Sequence, residues 1–592
     1  YFNDGSDGDT DSLTILGTAA ADTAVINFTE GDALIPATDT DPWIDFTSPA
    51  FQIERFASAT VVANANPTLS ALDNVTLSLG NGDDDVTITG RSTLANTLAP
   101  TTINIDGGNP TASDTINFTG TNDADDTYVV HPGASSDAGT VEVTLDASPT
   151  TTVNFTAIEN IDIDGGGGTG DDALVMNGSG DDDSITVDST ATAQVNAGPV
   201  VSFANTGSTA STITLNGENG NDAFSIDPLA GIAITANGGD PTASDSVVVN
   251  ITAATTVTGL SIDGATVQMA GAADVVLATI EHVTIGGDAG DDALTVTTPA
   301  GEISTSLTPG STIDSGDVQV ASLIPLSFEN LGTTGSLVIN DADATADDTL
   351  VYRGTGSDDT FAVSGNGIVT LNSQIEVDVL GDAATLTLDG LDGDDTFDVA
   401  ALHGIATVNL IGGGPSASDV ANLAGDGTAV AANLSDPASV TGGGLGTINL
   451  PGIETVNLDA ATGDVNTNGT TGDDAISYAP TGTDAGSITV EGLNTSFSLS
   501  AVGDLAIDGV SGDDTLAVLG TTADDTFTIS DTAVIHDSLQ GVDTIGNVVA
   551  LTVSGDEGAD TFDVTPSTTA TIFIDGNDPI GGTPGDTLHI NT

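Results

Sequence analysis

The feature that most constrains this chain is a repeated turn. Residues 161–175 read IDIDGGGGTGDDALV: an alternating strand (Ile161, Ile163), a glycine turn, the pair Asp171 and Asp172, and a second alternating strand from Leu174. Variants recur at 75–88 (VTLSLGNGDDDVTI), 213–226 (ITLNGENGNDAFSI), 283–296 (VTIGGDAGDDALTV), 386–399 (LTLDGLDGDDTFDV), 505–518 (LAIDGVSGDDTLAV) and 551–564 (LTVSGDEGADTFDV). A turn repeated along the chain argues for an array in which each unit buries its apolar face on its neighbours.

Period-two alternation in Val, Ile, Leu and Thr runs throughout, without a convincing helical period, so the expected class is all-β. Other repeats accompany the first. One carries proline, as in 105–118 (IDGGNPTASDTINF), 236–249 and 410–423; a shorter one centres on an Asp pair, as in 354–363 (GTGSDDTFAV) and 521–529 (TTADDTFTI). A third places Ile before Glu, at 155–163 (FTAIENIDI), 277–285 (LATIEHVTI) and 451–458 (PGIETVNL). Strands spaced about 10 to 13 residues apart leave about five residues per strand plus a turn. An elongated parallel β-solenoid is favoured, because the glycine and Asp turns are wider than tight hairpin turns. Tandem antiparallel β-sandwich domains are the alternative. The repeats suggest a partial unit at 1–50, then units at 51–160, 161–276, 277–450 and 451–592, with an irregular segment at 297–326. Phe224, Phe361, Phe397, Phe527 and Phe562 occupy one repeat position and read as a core ladder.

Charge narrows the function classes. Eighty-seven Asp and Glu face three Arg and no Lys, for a formal net charge of -84. Self-repulsion on this scale disfavours a compact state unless cations bind. It also argues against nucleic acid, which needs clustered bases, and against anionic membrane surfaces. Cysteine is absent, so neither disulfides nor thiolate sites are available. No apolar run is long enough for a spanning helix. The five histidines show no metal or catalytic spacing, and no nucleophile elbow occurs.

The paired carboxylates are the candidate sites: Asp83 and Asp84, Asp171 and Asp172, Asp181 and Asp182, Asp291 and Asp292, Asp358 and Asp359, Asp394 and Asp395, Asp513 and Asp514, Asp524 and Asp525, with Asp222 and Asp560. Adjacent carboxylates repel, and a hard dication with six to eight oxygen ligands relieves that repulsion, which points to Ca²⁺. The competing reading is that Asp in such turns accepts backbone N–H groups.

Residues 167–175, GGTGDDALV, resemble the nonapeptide of the hemolysin-type calcium-binding (RTX) repeats of secreted bacterial proteins. That resemblance implies a calcium-loaded parallel β-roll. It also implies that Asp84, Asp172, Asp222, Asp292, Asp395, Asp514 and Asp560 are calcium ligands together with glycine carbonyls. The family repeats in direct tandem, whereas the motifs here stand 10 or 11 residues apart at closest, as Asp172 to Asp182 and Asp514 to Asp525.

The expected protein is a secreted, calcium-stabilised structural repeat protein of a cell surface: a filament, surface layer or adhesin stalk. Self-assembly head to tail through terminal strands is the expected partnership, with a cell-surface glycan as a further candidate. The expected protein is not an enzyme. A carbohydrate- or surface-binding adhesin, with the irregular segment as its site, is the first alternative. A polysaccharide-active β-helix enzyme is the second, and an acidic, salt-adapted surface protein without specific calcium sites is the bland one.

Overall fold

The computed structural model describes residues 102–591 except loop segments at 109–113, 122–123, 146–149, 208–209, 242–243, 252–259, 263–264, 289, 322, 342–347, 381–384, 415–417 and 578–584. Before residue 102 it describes 12–18, 23–27, 43–45, 59–62, 74–80 and 83–89. The partial unit expected at 1–50 therefore lies largely outside the described residues. Every regular element described is a strand. The chain forms two compact units, 1–292 with 324–332, and 293–323 with 333–592. The boundaries read from the repeats at 50, 160, 276 and 450 all fall inside these units.

Each unit is built from coils that add one strand to each of two facing sheets. In the first unit Ala173–Asn177, Thr212–Asn216 and Ala233–Asn237 stack in parallel, with Leu174 on Ile213 and Ile213 on Ile234. In the second, Thr396–Ala400, Val420–Ala424, Thr455–Asp459 and Ser496–Ser500 do the same. Equal register holds like residues over like, the arrangement a β-solenoid needs. Alternate side chains are buried between the sheets, as Ile213 and Leu215 are in Thr212–Asn216 and Leu386 and Leu388 in Thr385–Asp389. Aromatic rings close the gap: Phe118 meets Tyr128 from the opposite sheet at 5.8 Å between centroids, and Tyr352 meets Phe361 at 5.7 Å. The expected phenylalanine positions are all buried, and the ladder forms in pairs, Phe361 stacked on Phe397 and Phe527 on Phe562. Outward positions carry amide ladders, such as Asn216 Nδ2 to Asn177 Oδ1 (2.7 Å) and Asn457 Nδ2 to Asn422 Oδ1 (2.8 Å).

The solenoid is not purely parallel. Asp126–Pro132, Gly139–Leu145 and Thr151–Thr156 form an antiparallel meander within one sheet, Val141 lying between Val130 and Val153. Their even spacing is equally compatible with strands that coil onward. The turn at 133–138 instead reverses the chain, and the third strand then pairs in parallel with Thr102–Asp106. Thr360–Val363, Ile368–Leu371 and Glu376–Leu380 repeat this device, as do Ala475–Gly482, Ala485–Val490 and Ser496–Ser500. The segment expected to be irregular, 297–326, is also hairpin-bearing: Ser304–Pro309 pairs antiparallel with Gly316–Val320.

Candidate functional site

The strand-to-turn alternation places each Asp pair at a coil edge, one member facing out and the next facing in. Asp83, Asp171, Asp291, Asp358, Asp394, Asp513 and Asp524 are exposed, whereas Asp84, Asp172, Asp292, Asp359, Asp395, Asp514 and Asp525 are buried, as are Asp222 and Asp560. At 181–183 the register differs from the expected pair: Asp181 and Asp182 are exposed and Asp183 is the buried residue.

The two carboxylates staple adjacent coils in opposite directions. The Asp474 N–H donates to Asp514 Oδ1 (2.8 Å), while the Asp513 N–H donates back to Asp473 Oδ1 (2.8 Å). The same reciprocal pair joins Asp359 to Asp395 and Asp394 to Asp358 (2.8 and 3.0 Å), and Asp183 to Asp222 and Asn221 to Asp182 (2.8 Å each). It joins Asp126 to Asp172 and Asp171 to Asp125 (3.1 and 2.8 Å), and Asp525 to Asp560 and Ala559 to Asp524 (2.8 Å each). Turns would otherwise leave these N–H groups without sheet partners, and a charged acceptor makes the bond stronger than a neutral one.

Several columns extend further. Asp222 N–H reaches Asp245 Oδ1 and Asp245 N–H reaches Glu281 Oε2, both at 2.8 Å; Asp395, Asp419 and Glu454 repeat the sequence at the same distances. Asp84 N–H likewise reaches Asp114 Oδ1 and Asp114 N–H reaches Glu159 Oε2 (2.7 and 2.9 Å). Asp114, Asp126, Asp183, Asp245, Asp419, Asp473, Asp474, Glu159, Glu281 and Glu454 thus belong to the staples, though the motif reading did not select them. The signals were present: Asp114, Asp245 and Asp419 each follow the Ala-Ser of the proline-bearing repeat, and the glutamates are those of the Ile-Glu repeat.

Motifs 10 or 11 residues apart sit at opposite edges. The turn at 165–172 leads into Ala173–Asn177 of one sheet, and the turn at 178–183 leads out of it. A five-residue strand spans about 17 Å, too far for neighbouring motifs to share an ion.

The turns fall into two chemical classes. In the short Asp-pair repeat, a Thr or Ser just ahead of the buried Asp satisfies its second oxygen. Thr355 donates its N–H to Asp359 Oδ2 (2.6 Å) and brings its hydroxyl to both oxygens (3.1 Å each); Thr121, Ser179, Thr470 and Thr521 do the same for Asp126, Asp183, Asp474 and Asp525. In the Gly-x-x-Gly-x-Asp turns the residue four before the buried Asp is left-handed instead: Glu218 (φ 75°), Leu391 (72°), Val510 (71°) and Asp556 (70°). Asp222, Asp395, Asp514 and Asp560, and Asp172 in its longer turn, then keep a buried Oδ2 with no hydrogen-bond donor. That oxygen lies against the first glycine of the turn. A Cβ on Gly390 would stand 2.1 Å from Asp395 Oδ2 and 2.7 Å from the Gly412 carbonyl oxygen. The second glycine has a separate reason, a φ of 141° at Gly393.

Burial raises the carboxyl of Asp172 to about 7 and those of Asp222 and Asp395 to about 6, against the lowering effect of the staple N–H. Neighbouring carboxylates add to the rise, among them Asp126, Asp125 and Asp171 around Asp172. The folded state therefore holds these protons more tightly than the unfolded chain. Their contribution to stability is full below about pH 4 and is lost as pH rises through 6 to 7. Asp172→Asn cannot ionise, so in EDTA the stability of the natural chain relative to this variant should fall between pH 4.5 and 8. A pH-independent difference in melting temperature would refute the assignment.

Among the described residues no group of three or more His, Asp or Glu side chains stands together as a metal-binding set. The short-class carboxylates are occupied by donors. The unpartnered Oδ2 atoms of the long class are one oxygen per turn on which an ion or a proton can act; backbone carbonyls and water would have to complete a calcium shell. Neither a protein-family model nor a curated protein matches the chain.

Proposed function

We propose that this chain is an extracellular structural protein whose coils are held edge to edge by aspartate staples, and that copies of it self-assemble at a cell surface as a filament, layer or stalk. The observation that supports this reading is the reciprocal staple, repeated in both units. Among the described residues this device recurs in both units and joins coil to coil. Its repetition suits a load-bearing element, whereas a catalytic centre would call for one unique cluster, so the protein is read as non-enzymatic.

Calcium is the proposed cofactor. It would act at Asp172, Asp222, Asp395, Asp514 and Asp560, where a buried oxygen lacks a donor, and would offset the -84 charge. Ion supply outside the cell would then favour the folded state by mass action. Circular dichroism and light scattering in EDTA, then in millimolar calcium, with molar NaCl as control, provide the test. Calcium alone should raise the melting temperature and drive growth of long particles. A chain that is equally stable and monomeric with and without calcium would remove both calcium and assembly from the reading.

A glycan-binding stalk is the second reading. It draws on an open groove of about 580 Å³ in the second unit, where Asn366, Glu376, Asp398, Asn422 and Asn457 border small side chains such as Ala400 and Ala424. A glycan array carried out with the full chain tests it.

A further inference from the structure

Two hairpin turns, one from each facing sheet, close over a pocket in the first unit. The turn 133–138 joins Asp126–Pro132 to Gly139–Leu145, and the turn 196–199 joins Thr192–Val195 to Val200–Ala204. The turns meet closely: a Cβ on Gly198 would stand 3.9 Å from the Ser136 carbonyl oxygen. Each is braced from within, Gly133 N–H donating to the Ala138 carbonyl (2.8 Å) and Gly198 N–H to the Val195 carbonyl (2.9 Å). Asn196 lines the pocket, but its amide is committed to Asp183 and to the Ser184 N–H. The space is about 250 Å³, with apolar walls from Pro132, Ala134, Phe155, Met176, Ala197 and Pro199.

One polar side chain in the lining has its donor set by the fold. An amide ladder runs in a single direction toward His131: the Thr279 hydroxyl donates to Asn237 Oδ1 (2.7 Å), Asn237 Nδ2 to Asn216 Oδ1 (3.4 Å) and Asn216 Nδ2 to Asn177 Oδ1 (2.7 Å). Asn177 Nδ2 then lies 3.0 Å from His131 Nδ1. An amide nitrogen only donates, so Nδ1 accepts and the proton of the neutral ring sits on Nε2. Nε2–H has no hydrogen bond among the described residues and is the donor that His131 offers to the pocket. The His–Asn pair also departs from the repeat. At the same place in the other two meanders, five residues after the buried Asp, stand Ser364 beside Ala400 and Ala479 beside Leu519. The scaffold therefore does not require this pair.

We propose that this pocket binds an acetamido sugar, its methyl group against the apolar walls and its carbonyl oxygen accepting the His131 Nε2–H. Charge selects a neutral ligand. Among the described residues that line the pocket there is no Asp, Glu or Arg, in a chain that carries 87 Asp and Glu. An anion would be repelled by the field of those carboxylates, and a cation would be drawn to the Asp turns instead. Size selects a single ring, since about 250 Å³ is below the range of drug-sized sites. The exposed turn adds the Ser136 hydroxyl at the rim, where a sugar hydroxyl would sit. The site lies in the first unit and does not depend on the groove of the second.

The test titrates the full chain, labelled with ¹⁵N-histidine, with N-acetylglucosamine, glucose and N-acetylglycinamide at pH 7.5. N-acetylglucosamine should bind saturably at millimolar concentration and move the His131 Nε2 resonance, and glucose should bind about tenfold more weakly. His131→Ala should weaken N-acetylglucosamine by about tenfold, and Ala134→Leu, which fills the pocket from an exposed turn, should abolish its binding. A histidine that merely caps the ladder would lower the melting temperature when replaced and leave the affinity of the folded chain unchanged. No saturable binding, equal affinity for glucose, equal or tighter binding of N-acetylglycinamide, or affinity that survives His131→Ala or Ala134→Leu would each overturn the proposal.

Discussion

Gly390→Ala is expected to destabilise the second unit by about 3 kcal/mol or more, because the added methyl cannot be placed without breaking a staple. Its Cβ would lie 2.1 Å from Asp395 Oδ2 and 2.7 Å from the Gly412 carbonyl oxygen. Backbone cannot yield as a flexible side chain does. Moving Asp395 would strip the acceptor from the Asp359 N–H and disturb the donation from Asp395 N–H to Asp419. Gly404→Ala is the control. That glycine has a φ of 80° and nothing within 4 Å of its added Cβ, so only left-handed strain of about 1–2 kcal/mol remains. Denaturant unfolding of the two variants should separate crowding from strain; equal costs would refute the close-approach argument.

Asp359→Ala should be a costly removal of a staple carboxylate, at about 3 kcal/mol or more. Asp359 accepts the Thr355 N–H, the Thr355 hydroxyl and the Asn372 amide, and its loss leaves buried donors without acceptors. Asp395→Ala should cost less, about 1–2 kcal/mol. Its Oδ1 serves the Asp359 N–H alone among the bonds described above, and its Oδ2 has no donor. The ordering is therefore Asp359 over Asp395, although the sequence presents both as the second Asp of an Asp pair, in Ser-Asp-Asp and Gly-Asp-Asp respectively. Chemical denaturation of the two variants, fitted with a common slope, checks it; the reverse order would contradict the two-class description of the turns.

What could be read from sequence depended on range. Alternation identified the strands, the Gly-Asp turns marked coil edges, and Phe361, Phe397, Phe527 and Phe562 were recognisable as core because burial follows local period. The meanders were hidden, since Tyr128, Val141 and Val153 have the same spacing whether the chain coils onward or doubles back. The role of the carboxylates was hidden for a related reason. Asp359 and Asp395 are 36 residues apart, and Asp183 and Asp222 are 39 apart, with nothing local to mark them as partners. The run Asp181, Asp182, Asp183 shows the limit most plainly: three identical residues carry no sign of which one turns inward, and the strand Ser184–Val187 decides it.

The central claim is that aspartate carboxylates hold coil to coil, and amide hydrogen exchange at the turns tests it most directly. The amides of Asp126, Asp183, Asp359, Asp474 and Asp525, together with the returning amides of Asp171, Asn221, Asp394, Asp513 and Ala559, should exchange as slowly as those of the adjoining strands. If these turn amides exchange at the rate of open loops while the strands stay protected, the carboxylates are solvated decoration and the staple account is wrong.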